Sequence, residues 1–167
     1  MINAHIIDVQ IDERFLSIVE VDWLERVVET TIASQNIEKS VEVSLLITDD
    51  ETVQGLNCKY RGIDSTTDVL AFALQEAISN EEPEGFMPSL DDVCCLGDVI
   101  VSHPQAMKQA QEHGHPVGNE VALLVIHGVL HLLGYDHDTP SHEGQMRDIE
   151  TKVLSTISDL DKKTRLP

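Results

Sequence analysis

Basic residues are scarce in this chain: 11 Lys and Arg stand against 30 Asp and Glu, a formal net charge of −19. Proteins that hold phosphates by bulk attraction are normally basic, so casual nucleic-acid binding is disfavoured. The same charge disfavours a role on a membrane surface. An RNA substrate would have to be met by a local positive patch, a metal or a partner. Aromatic residues make up only 4% of the chain. Cysteine is limited to Cys58, Cys94 and Cys95, with no CxxC. Adjacent Cys94 and Cys95 fall on opposite faces of a strand, which argues against shared metal ligation. Reduced, buried thiols in a cytoplasmic protein are the expectation. No basic-plus-apolar N-terminal segment marks a signal peptide. The apolar run from Val121 to Leu133 is shorter than the roughly 20 residues of a membrane span.

What the chain does have is enough length for a real core. Its 167 residues, 41% hydrophobic, read as one domain over residues 1–160 with a C-terminal tail at 161–167. Ile2 to Gln10 reads as a first strand. Asp22 with Glu25 resembles a capping box, and Val21, Leu24, Val27, Val28, Thr31 and Ile32 repeat at helical spacing. Val41, Val43, Leu45 and Ile47 alternate with polar residues as a strand does. Asp49 or Asp50 can cap a short helix ending near Cys58, and Asp68–Leu74 and Val93–Val101 read as two more strands. Between them, Gln75–Asp92 carries six acids, no base and three helix breakers, the composition of a long solvated loop. Ser102-His-Pro-Gln105 opens a helix that stops at His113-Gly114, and Pro116-Val117 starts a central helix apolar nearly all round, hence buried. Thr139-Pro140 starts the last helix, with Met146, Ile149, Val153, Ile157 and Leu160 on its inner stripe. The expected fold class is α+β, a small mixed four-stranded sheet covered by helices, with the metal-ligand helix buried at its centre.

The chemistry concentrates in His127-Gly-Val-Leu-His131-Leu-Leu-Gly134-Tyr-Asp-His137. Residues four apart on a helix stack on one face, so the imidazoles of His127 and His131 lie together. Gly134 offers a left-handed stop, after which the chain can return His137 to the other two rings. Three imidazoles with a fourth position open form the arrangement of a catalytic zinc. Buried imidazoles in so apolar a run would be costly without such a partner. Imidazole also suits nickel and other divalent ions.

Three segments together resemble the YbeY family of zinc-dependent bacterial endoribonucleases that mature ribosomal RNA. They are Leu56-Asn-Cys-Lys-Tyr-Arg-Gly-Ile-Asp-Ser-Thr-Thr-Asp-Val-Leu-Ala-Phe72, then Leu96-Gly-Asp-Val-Ile100, then the histidine segment. The resemblance implies one Zn2+ per chain on His127, His131 and His137, and a functional role for Arg61. It also implies single-strand-specific cleavage in 16S rRNA processing and ribosome quality control. The implied partners are ribosomal RNA and the ribosome or its proteins, with no DNA and no membrane.

Three neutral imidazoles would leave the ion its double charge, lowering the pKa of a bound water to ~7 from ~15.7. Alternatively the ion polarises a phosphoryl oxygen while another nucleophile attacks. A guanidinium fork suits the growing phosphoryl charge, and Arg61 sits beside Lys59 in a segment poor in acids. Asp136 is placed to orient a ligand imidazole or to cap the turn after Gly134. Asp98 and Glu120 are candidate proton acceptors if folding brings them to the metal. His103, His113, His115 and His142 read as helix-end or surface residues, with a secondary metal role left open but without support in the pattern. Two rival readings share the histidine pattern. Metzincin proteases have the same spacing but place a general-base Glu after the first histidine, where this chain has Gly128. A non-catalytic assembly factor with a structural metal would need a fourth protein ligand.

Overall fold

The computed structural model describes residues 4–74, 93–135 and 139–165, with side-chain surroundings through residue 158. Strands β1 (Ile6–Ile11), β2 (Ser40–Thr48), β3 (Val69–Ala73) and β4 (Val93–Ser102) form one sheet in the order β1-β2-β4-β3. The first three neighbours run parallel, and β3 lies antiparallel at the edge of β4. The helices are α1 (Val21–Ala33), α2 (Asp50–Arg61), α3 (His103–His113), α4 (Val117–Leu132) and α5 (Pro140–Arg165). This is the expected mixed α+β architecture.

Strand alternation divides the core between the two faces of the sheet. Val43, Leu45, Ile47, Val99 and Val101 point to a large core shared with Leu24 and Val28 of α1, Val125 and Val129 of α4, and Met146 and Val153 of α5. Leu70 and Ile100 point the other way, into a small cluster with Val53 of α2. Ten residues of α4 are buried, and full burial of each Val, Leu or Ile contributes about 1.5–3 kcal/mol. That apolar surface fixes the central helix, and with it His127 and His131.

The central strand is not regular. Glu42 of β2 faces Cys95, but Val43 faces Gly97, so Leu96 is an extra residue in β4. Leu96 and Val99 both reach the main core, while Asp98 between them turns outward. Gly97 permits this bulge: its φ is +135°, and a Cβ there would stand 2.0 Å from the Phe72 carbonyl oxygen.

Local chemistry accounts for several helix ends. Asp49 accepts from the Thr52 N–H at the start of α2, and Ser102 accepts from the Gln105 N–H at the start of α3. Thr139 Oγ1 accepts from the His142 N–H ahead of α5. Gly62 (φ +70°) and Gly114 (φ +68°) end α2 and α3 in the left-handed region.

Several boundaries differ from the sequence expectation. β1 begins at Ile6, and residues 1–3 lie outside the described chain. Asp22 does not cap α1: Glu20 holds that position without a side-chain bond, and Asp22 sits in the first turn, where a carboxylate still complements the helix dipole. α2 runs past Cys58 to Arg61, because the residue that stops it is Gly62. α5 continues to Arg165, through most of the segment read as a tail. No Gly or Pro interrupts the sequence from Gly144 to Pro167. Gln75–Asp92, read as an acidic loop, lies outside the described residues.

Candidate active site

One face of α4 brings His127 and His131 together as their spacing predicts. Their rings are edge to face at 75°, with centroids 4.7 Å apart, and their Nε2 atoms are separated by 3.1 Å. Two nitrogens bound at 2.0–2.1 Å to a tetrahedral ion stand about 3.3 Å apart. The pair therefore fits two corners of a zinc-type coordination shell. Both residues are partly buried.

The other nitrogen of His127 is held from a different helix. Its Nδ1 lies 2.7 Å from Glu150 Oε1 on α5. A carboxylate accepts, so Nδ1 carries the proton and Nε2 keeps its lone pair turned toward His131. Glu150 was missed in the sequence. It stands one residue after Ile149 of the inner stripe, and nothing in the pattern shows that α5 crosses α4 at this height.

At the C-terminal end of α4, Gly134 adopts φ +102° and the Tyr135 N–H bonds back to the Leu130 carbonyl at 3.0 Å. Tyr135 Oη donates to Gln35 Oε1, tying this turn to the end of α1. Asp136 and His137 follow directly and lie outside the described residues.

Gly128, between the two histidines, has a packing role. A Cβ there would meet Val99 Cγ1 at 2.5 Å, with Val69 Cγ2 at 3.4 Å. The helix thus lies hard against β3 and β4. A glutamate at this position, as the protease reading requires, would first have to push the Val99 side chain aside.

Arg61 stands in the last turn of α2, at the free edge of β3. Its Nη2 donates to the Ala71 carbonyl at 3.0 Å, and its guanidinium lies 5.4 Å from the Phe72 ring centroid. Lys59 Nζ is 5.2 Å from the Tyr60 ring centroid, and Tyr60 and Phe72 are tilted neighbours at 5.5 Å. These contacts form a small cationic, aromatic rim on an acidic protein. Ala71 alternates with Leu70 and Phe72, so the anchored guanidinium sits at the strand separating the α2 side from the α4 side.

Asp98 is not brought to the histidine pair. The bulge turns it away from α4 into a cavity of about 510 Å³ on the opposite sheet face, with Asp8, Ser44, Leu56, Tyr60 and Phe72. Glu120 is also elsewhere, two turns below His127 on α4, where it binds His115 and His113. His113, His115 and Glu120 form a group able to hold a metal ion. His103 is not at a surface: it is 1% exposed, stacked 4.8 Å from Phe15, with neither ring nitrogen bonded. No helix among the described residues is long and apolar enough to cross a membrane.

An α+β fold whose buried helix presents two facing imidazoles, one oriented by a carboxylate, defines a candidate metal-dependent hydrolase. Comparison with known proteins narrows this class. Residues 7–158 match the family described as Endoribonuclease YbeY, and the chain belongs to that family. A protein named Endoribonuclease YbeY from Roseiflexus castenholzii is 40% identical over 91% of this chain and 92% of its own length. Another of that name from Moorella thermoacetica is 40% identical over 93% and 95%. The solution structure of the Thermotoga maritima protein TM1509 shares the fold, with a TM-score of 0.62 at 22% identity, covering 96% of this chain and 94% of that one.

Proposed function

We propose that this protein is a zinc-dependent endoribonuclease that cuts single-stranded RNA during maturation of 16S ribosomal RNA, and that it serves ribosome quality control in the cytoplasm. Family membership supports the reaction class. The observation that carries the metal-dependent part is the facing of His127 and His131 Nε2 at 3.1 Å, with Glu150 on His127 Nδ1.

In this reading His127, His131 and His137 hold one zinc ion. When bound, the ion supplies Lewis-acid chemistry beside the scissile phosphodiester. Arg61 meets the phosphoryl oxygens. Its bond to Ala71 leaves further guanidinium N–H groups to donate, and the strand carbonyl restricts the side chain before substrate arrives. Lys59 adds charge at the same rim, and Tyr60 offers an exposed ring face for an unpaired base. Asp136, next to His137 in the sequence, supports a ligand ring. Asp98 serves the substrate-binding side, since its cavity adjoins Tyr60 and Phe72.

The test is cleavage of single-stranded ribosomal RNA by the purified protein. Activity is expected to vanish with a chelator and to return with zinc. His131→Ala abolishes cleavage and removes the zinc held with His127. Arg61→Ala lowers cleavage about 10²–10³-fold, the loss typical of one donor to developing charge, while zinc still binds. Undiminished cleavage in chelator removes the metal from the reading, and full activity in Arg61→Ala removes the arginine.

A further inference from the structure

Glu120 is a carboxylate in the wrong place for an unassisted charge. Its side chain is 5% exposed, and burying an ionised group costs several kcal/mol unless it is well paired. No Lys or Arg bonds to it among the described residues. Its partners are two imidazoles that converge on one oxygen: His115 Nε2 at 2.5 Å and His113 Nδ1 at 3.5 Å. The two rings reach it because Gly114, at φ +68°, reverses the chain between them. His113 ends α3, His115 lies in the connection, and Glu120 is in the first turn of α4. Three separate pieces of backbone therefore deliver two nitrogens and one oxygen to a point, all within 4.8 Å of one another.

We propose that His113, His115 and Glu120 form a second divalent-cation site, of zinc class, that clasps the α3–α4 corner. Two neutral imidazoles and a carboxylate are a common donor set for such an ion, with solvent completing the shell. The set carries one negative charge, which a dication more than neutralises. His113 is 61% exposed, so the site opens to solvent and gives an ion a way in. The 3.5 Å separation suits two ligands of one ion, and the 2.5 Å hydrogen bond must lengthen as the ion replaces the shared proton. The site is separate from the histidine pair: Glu120 precedes His127 by seven residues, about 10 Å along the helix axis. An ion here would brace the fold rather than touch RNA, stabilising the native state by binding it alone.

The decisive measurement is thermal unfolding of the full chain carrying His127→Ala and His131→Ala, with and without Zn2+. Zinc at a hundredfold above its Kd is expected to raise Tm by about 5–10 °C. Adding His113→Gln and His115→Gln abolishes the rise. Should the alanine background fold poorly, calorimetric titration of the otherwise unaltered chain with Co2+ serves instead: the His113→Gln/His115→Gln variant binds one ion fewer. The proposal is overturned if zinc leaves Tm unchanged in the alanine background, if the rise survives both glutamine substitutions, or if the Co2+ stoichiometry is the same with and without them. None of these readouts depends on RNA cleavage, so the catalytic reading stands or falls separately.

Discussion

Glu150 and His127 meet across two helices at 2.7 Å, and the contact has a directional consequence. The carboxylate fixes the proton on Nδ1, so Nε2 is presented as a donor to a cation without prior tautomer exchange. Partners of this kind typically set metal affinity by 10–100-fold. Glu150→Ala is expected to weaken zinc binding by that factor in a chelator competition titration, with the fold retained. Affinity equal to the parent protein's would show that His127 is oriented by something else. His103 makes a different prediction. Burial without a hydrogen-bond partner pushes its pKa below the ordinary value of 6.5. The folded state thus prefers neutral imidazole, and the unfolded chain takes up the proton first. Its contribution is fully present above about pH 6.5 and is lost as pH falls through that value toward the lower folded pKa. Urea unfolding of the parent protein and of His103→Phe should diverge between pH 8 and pH 5, the parent losing stability faster. Parallel profiles would contradict the neutral, unpartnered ring.

At the level of elements, the sheet and α4 are held in register by two glycines with opposite burdens. Gly97 absorbs an extra residue in β4, and Gly128 lets α4 approach the sheet. Adding a methyl at Gly128 improves helix propensity by about 1 kcal/mol. It also drives a carbon to within 2.5 Å of Val99 Cγ1, and overpacking of this kind costs about 1–3 kcal/mol. Gly128→Ala is expected to lower stability by about 1 kcal/mol, a Tm drop of about 2–4 °C; an unchanged or raised Tm would mean the interface yields freely. Much of this architecture was legible in advance. Alternation in Val41–Ile47, the Ser102 and Thr139 caps, and the Gly114 stop are local signals, and local physics decides them. The Gly62 stop is equally local, but the expected end near Cys58 fell short of it. The His127–His131 adjacency follows from helical pitch alone. What the sequence concealed depends on how elements cross: Glu150 beneath His127, the His113–Glu120 contact, and the side of the sheet on which Asp98 emerges. The bulge at Leu96–Gly97 explains the last, since a slip of one residue in a strand reverses every side chain beyond it.

Across the whole molecule, charge sets the terms on which RNA can be held. With a net charge of −19, most of the surface repels a phosphate backbone, and attraction must come from a few defined points. In the proposed site those are Lys59 and Arg61, two cations at the end of one helix, where they also complement its dipole. Aromatic stacking on Tyr60 adds affinity without charge. The salt dependence of binding follows directly. Single-stranded RNA loses about 0.7 in the slope of log K against log salt for each phosphate neutralised, so two contacts give a slope of about −1.4. General repulsion between an acidic protein and RNA weakens as salt rises, which flattens the slope further. Fluorescence anisotropy of a labelled single-stranded RNA, followed from 50 to 300 mM salt with chelator present to prevent cleavage, should give a slope between about 0 and −2. Arg61→Ala should move it toward zero by about 0.7. A slope steeper than about −4 would require at least five or six neutralised phosphates, and therefore a basic surface beyond Lys59 and Arg61.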